Sequence, residues 1–97
     1  MRLSMSNVDN KLLKLGFVSV IDNNKCGSWV YENMGDDQHV DIDFDGENWF
    51  VHSSSISTQK DWYGNDYHEP VALSYEDMKA FMDKIEELKV SQNQNAI

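Results

Sequence analysis

Residues 38–54 constrain the fold more than any other stretch of this chain. Val40, Ile42 and Phe44 alternate with His39, Asp41, Asp43 and Asp45. A period of two places the apolar set on one face of a strand and the charged set on the other. Asp45-Gly46 follows, a hairpin signal, and the chain returns through Trp49 and Val51. A two-residue turn pairs Ile42 with Trp49 and Val40 with Val51. A four-residue loop pairs Phe44 with Trp49, Ile42 with Val51 and Asp41 with His52. Both give the same two faces. A three-residue loop would set Trp49 and Val51 among the aspartates, because a one-residue slip turns every side chain over. The hairpin therefore carries an apolar face of Val40, Ile42, Phe44, Trp49 and Val51. The opposite face holds His39, Asp41, Asp43, Phe50, His52 and Ser54.

That second face is unusual. Asp is depleted in strands, since its short side chain competes for backbone hydrogen bonds, and aspartates at alternate positions repel one another. Such a face either has a use or sits at a sheet edge, where charge discourages edge-to-edge pairing. The surrounding charge sharpens the point. Between Lys25 and Lys60 there is no Lys or Arg, while the interval holds Glu32, Asp36, Asp37, Asp41, Asp43, Asp45 and Glu47. With a net charge of −9, this is a one-signed field. It disfavours direct nucleic-acid binding and favours a basic partner or a cation. A solubility charge is the plain alternative.

The chain has 97 residues, enough for one domain over 1–90 with one modest core. Three Trp, four Tyr and four Phe can fill that core. No apolar run is long enough to span a membrane. The opening Met-Arg-Leu-Ser-Met-Ser has no apolar signal core, so the expected setting is cytoplasmic. Cys26, the only cysteine, forms no internal disulfide and fits a reducing compartment.

Taken in order, residues 1–5 show no ordering pattern. Ser6 with Asp9 resembles a capped helix start, and Gly16 is a natural stop, so 7–15 read as a short helix. Phe17–Ile21 and Ser28–Asn33 read as strands separated by a turn. Residues 55–69 form a long polar loop carrying Trp62, Tyr63 and Tyr67, either as contact residues or as a cap on the core. Ser74 with Asp77 opens the best helix, with Leu73 and Met78 placed as a hydrophobic staple. Tyr75, Met78, Phe81, Met82, Ile85 and Leu88 form its apolar stripe. Residues 91–97 are polar and read as a disordered tail. The expected fold class is α+β: a short N-terminal helix, a four-stranded antiparallel meander, and a long C-terminal helix packed on one sheet face. That helix covers the apolar hairpin face and leaves the acidic face outward.

Three chemistries compete for the acidic face. Asp41-x-Asp43-x-Asp45-Gly46 matches the opening of a calcium loop, but His52 replaces its closing Glu and strands replace its flanking helices. His39, Asp41 and His52 share a face and could take zinc or another divalent metal, with Cys26 or His68 added by loops. Catalysis has little to build on: Cys26 has no local base, and there is no phosphate or dinucleotide loop, so the chain reads as non-enzymatic. Binding fits better. Alternate strand residues lie about 6.6 Å apart, close to the spacing of successive phosphates. Asp41, Asp43 and Asp45, with Asp36, Asp37 and Glu47 beside them, could imitate a nucleic-acid backbone. Trp62, Tyr63 and Tyr67 would supply apolar anchors.

The Lys14-Leu15-Gly16-Phe17 helix exit, the small meander, and the run from Ala72 through Lys79 that opens the terminal helix resemble small acidic proteins of Gram-positive phages and mobile elements. Anti-CRISPR proteins that block Cas9 come from that pool. The likeness spans residues 11–90 in style and carries no catalytic residues. It implies a protein that binds a basic nucleic-acid-processing effector such as Cas9 or its guide complex, and blocks guide RNA or target DNA loading. A metal-binding regulatory protein and a subunit of a phage or toxin–antitoxin complex are the alternative expectations.

Overall fold

The computed structural model describes residues 6–95, with side chains through residue 91. Residues 1–5, 96 and 97 lie outside the described residues. The architecture is the expected α+β arrangement. Helix α1 (Asn7–Lys14) leads into strands β1 (Val18–Asn23), β2 (Ser28–Asn33), β3 (Gln38–Phe44) and β4 (Trp49–Ser55), a meander in the order β1-β2-β3-β4. A one-turn 3₁₀ segment, Met34–Asp36, joins β2 to β3. Helix α2 (Tyr75–Asn95) closes the fold. No described helix is long and apolar enough to cross a membrane.

Local chemistry sets the element ends. Ser6 Oγ accepts from the Asp9 amide at 3.0 Å and caps α1. At its other end the Phe17 amide donates to the Leu12 carbonyl (2.9 Å) and the Gly16 amide to that of Leu13 (3.0 Å). This double closure turns the chain sharply and buries Leu12 against Phe17. Gly16 has φ +98°, and a Cβ there would meet Asn33 Nδ2 at 2.9 Å. Asn33 needs that room, since it donates to the Leu15 carbonyl at 3.1 Å and satisfies the helix end. Gly27 is more constrained still. Its φ is +66°, and an added Cβ would lie 2.3 Å from the Phe44 carbonyl oxygen. Its own carbonyl takes the Phe44 amide at 2.8 Å, locking the β1–β2 turn to the end of β3.

The β3–β4 hairpin uses the four-residue loop: Phe44 pairs with Trp49, Ile42 with Val51 and Asp41 with His52. One sheet face then carries Trp29, Tyr31, Val40, Ile42, Phe44, Trp49 and Val51. The helices supply Leu12, Ala80, Phe81, Ile85 and Leu88 to the same core. Phe81 meets Phe17 and Tyr31 edge-on, at ring separations of 4.9 and 5.4 Å. Trp49 stacks on Phe44 at 4.5 Å and on Trp29 at 5.5 Å.

Several expectations are corrected. Asp45 lies beyond the end of β3, not on it. On α2 the buried arc is rotated toward Ala80 and Lys84, so Phe81, Ile85 and Leu88 are buried while Tyr75, Met78 and Met82 are exposed. Lys84 had no place in the stripe, and its ion pairs with Asp9 and Glu87 let it sit inside. Helix α2 also runs to Asn95, into the stretch read as a tail. The long loop is partly structured. It holds a two-stranded ladder, β5 (Gln59–Lys60) and β6 (Asp66–Tyr67), and then runs back along β4, where the Ser55 amide donates to Glu69 (2.8 Å) and the Val71 amide to Ser53 (3.0 Å).

Candidate interaction surface

Both helices pack on one face of the meander, so the other is left without a helix among the described residues. The strand register builds this outer face in rows. Glu32, His39 and Ser54 lie side by side across β2, β3 and β4; so do Val30, Asp41 and His52, and Ser28, Asp43 and Phe50. On β1, Val18 pairs with Glu32 and Ile21 with Val30, extending the face as an apolar margin. Asp41 and Asp43 therefore stand together on β3. The third carboxylate on this outer face is Glu32, from β2. It alternates with Trp29 and Tyr31 in the sequence, so its side was readable once the β2–β3 register was known.

The remaining acids are arranged around this centre. Asp36 and Asp37 precede β3, while Asp45 and Glu47 follow it. Two of these are committed to local structure. Asp45 Oδ1 accepts from the Glu47 and Asn48 amides at 2.9 and 2.7 Å. These bonds, the Asn48 amide's first, hold its carboxyl below the usual carboxylate range. Asp37 sits in the left-handed region at φ +50°, and its Oδ1 accepts from both the amide and the hydroxyl of Ser57 at 2.9 Å. It pins the start of the long loop to the β2–β3 connection. Asp36 and Glu47 are exposed.

The histidines divide. His39 is half-buried; its Nε2 lies 2.8 Å from Ser54 Oγ and 3.9 Å from Asp41 Oδ1, and its ring is 5.5 Å from that of His68. The His68 contact folds the loop's return segment onto the β4 side of the outer face. His52 stands directly opposite Asp41 and alongside Phe50. Cys26 is exposed in the β1–β2 turn, at the other end of β3 from His39. Among the described residues no three His, Cys, Asp or Glu side chains converge on one point. Of the expected set, His39 lies 3.9 Å from Asp41 and His52 stands opposite Asp41 on β4, while the ring beside His39 is that of His68.

The aromatic residues do not cap the core. Trp62 is 99% exposed and Tyr63 89%. They stand at the tip of the β5–β6 ladder, and Asp61 builds that tip. Its Oδ1 accepts from the Tyr63 and Asn65 amides at 2.9 and 2.8 Å, and its carbonyl from Gly64 at 3.1 Å. The Asn65 amide leads in holding the Asp61 carboxyl below its ordinary range. Lys60 and Asp66 pair across the ladder, and Tyr67 Oη donates to Gln59 Oε1 at 3.3 Å. Tyr67 is thus part of the ladder, while Trp62 and Tyr63 are presented to solvent. An open groove of about 520 Å³ runs between Lys60, Asp61, Trp62 and Tyr67.

One polar cluster had no sequence reading. Lys84 Nζ lies 3.0 Å from Asp9 Oδ1 and 2.7 Å from Glu87 Oε2, and Tyr31 Oη donates to Asp9 Oδ1 at 3.3 Å. The one signal was Lys84's position among the core residues of α2. No protein-family model matches this chain, and no curated protein or solved structure is significantly similar to it.

Proposed function

We propose that this protein is a non-enzymatic inhibitor that binds a basic, nucleic-acid-processing effector through its outer sheet face. The observation that carries the reading is the grouping of Glu32, Asp41 and Asp43 on a sheet face that no described helix covers, within an interval that has no Lys or Arg. Carboxylates on adjacent strands are held by the sheet, so their mutual repulsion is already met in the folded state. A basic groove relieves it on contact, which speeds encounter and selects positively charged partners. Trp62 and Tyr63 add the large, stiff side chains that carry affinity at such interfaces. The effector fitting this chemistry and the anti-CRISPR resemblance is Cas9, with guide RNA or target DNA as the displaced ligand.

The test is a Cas9 DNA-cleavage assay with the protein added before or after guide RNA, at two salt concentrations. Inhibition only before guide marks competition for the guide channel. Inhibition in either order, weakening with salt, marks competition with target DNA. The variant to compare is Glu32→Lys with Asp41→Lys and Asp43→Lys. Asp45 is left intact because its carboxylate closes the hairpin loop. The expected result is inhibition weakened about tenfold or more, with an unchanged circular dichroism spectrum. Full inhibition by the variant would remove the acidic face from the mechanism. Absence of inhibition by the wild type in every order would remove Cas9 as the partner.

A further inference from the structure

The two edges of the sheet are treated differently. Along β4, the chain from Glu69 to Val71 covers the later half, and Pro70 forms an isolated bridge with Ser54. A cover and a proline are common protections against stray strand pairing. β1 has neither. It pairs with β2 alone among the described residues, every residue from Val18 to Asn23 is exposed, and the strand contains no Lys, Arg or Pro. A bulge between Ser19 and Ile21 guards it in part, splitting the edge into two short runs.

A cleft of about 360 Å³ lies directly beneath this edge, on the core side of the sheet. Leu13 and Phe17 give it apolar walls, and Asp9, Asp22 and Tyr31 give it polar ones. The pairings place Ser19 beside Tyr31 and Asp22 beside Trp29, so both β1 residues project to the cleft side. Lys84 reaches the cleft, but its charge is met by Asp9 and Glu87. Asp22 has no hydrogen bond or ion pair from its carboxylate among the described residues and lies at the rim. The site therefore offers main-chain donors and acceptors along a strand, a slot for one long side chain, and a net negative rim.

We infer that the free edge of β1 is a docking site for a short, extended, basic segment of a protein partner. The segment adds a fifth strand to the sheet, about 4.8 Å from β1. Its residue opposite Ser19 sends an Arg or Lys side chain down into the cleft, where the aliphatic stem lies against Leu13 and Phe17 and the charge meets Asp22. Backbone pairing over so short an edge is weak by itself, so the side chain in the cleft supplies the selectivity for a basic segment. This surface lies at the opposite edge of the sheet from β4 and does not depend on the acidic outer face.

The experiment uses the full, ¹⁵N-labelled chain with the peptide acetyl-Thr-Val-Arg-Val-Thr-amide, and the same peptide with Glu replacing Arg. The Arg peptide should shift the amides of residues 18–23 and slow their hydrogen exchange, with little effect on residues 39–43. Asp22→Arg, and separately Ser19→Trp to fill the slot, should each weaken binding about tenfold. Both positions are exposed, so a wild-type spectrum away from β1 will show that the variants fold. No shift in β1 at millimolar peptide would overturn the inference, as would equal binding of the Glu peptide. So would β1 protection that grows with protein concentration in the absence of peptide, which would give the edge to a second copy of this chain.

Discussion

Lys84 stands where the helical period of α2 calls for an apolar side chain, and it is only 8% exposed. A buried ammonium is costly unless paired, and this one has two carboxylates within hydrogen-bond reach. Burial pushes its proton affinity down, but Glu87 and Asp9 outweigh that and hold it above its ordinary value. Burial also pushes the Tyr31 phenol up, with Lys84 opposing and Asp9 adding. In both groups the folded state keeps its proton after the unfolded chain has lost it. Their contribution to stability is thus complete below about pH 10 and is lost as pH rises through the folded values. Lys84→Met should lower stability by about 2 kcal/mol at neutral pH, since it strands two partly buried carboxylates. The double variant with Tyr31→Phe should lose stability less steeply above pH 10 than the wild type. Urea unfolding across that range measures both; parallel pH profiles would refute the coupling.

Among the elements, the β5–β6 ladder is the least supported by packing. Its two strands are two residues each and exposed to solvent, so side-chain bonds hold its tip together. Asp61→Ala removes the acceptor for two amides there. The expected outcome is faster hydrogen exchange at Tyr63 and Asn65, with the global melting temperature unchanged, because no core residue is touched. The Asp61 carboxyl is held below its ordinary range, so the tip's order is present above that range and is lost as pH falls through the depressed value. If Trp62 and Tyr63 are binding anchors, the same variant weakens partner binding without altering the melting temperature. A drop in melting temperature would mean that the ladder helps to hold the core.

At the scale of the molecule, the net charge of −9 works against compaction. Seven of the seventeen carboxylates lie between Lys25 and Lys60, an interval without Lys or Arg, while three of the lysines are paired elsewhere: Lys84 with Asp9 and Glu87, Lys89 with Glu86 at 2.9 Å, and Lys60 with Asp66. Added salt screens repulsion between exposed charges more than it weakens a half-buried pair, since the screening length is about 10 Å at 0.1 M and about 3 Å at 1 M. Melting temperature should therefore rise between low salt and about 0.5 M sodium chloride. A fall would show that ion pairs outweigh the acidic field.

The hairpin faces, both helix starts, the Gly16 exit and the order of the meander were legible in the residues. Each rests on a short-range rule: alternation for Val40, Ile42 and Phe44, a hydroxyl cap for Ser6 and Ser74, a positive φ for Gly16. Even the loop length between Phe44 and Trp49 was narrowed to two choices, because only even lengths keep the aspartates away from the core. The rest was decided by contacts between distant segments. Pairing β2 with β3 brought Glu32 beside His39 and next to Asp41. The Asp45 and Asp37 carboxylates were claimed by loop amides, so they serve the scaffold as well as the charge. The fold alone could show Trp62 and Tyr63 facing water, because the same residues would have served equally well as a lid. Lys84 became a core residue when Asp9 arrived from a helix seventy-five positions earlier in the chain. Periodicity sees one element at a time, and both an ion pair across two helices and an uncovered strand edge exist only once the elements have met.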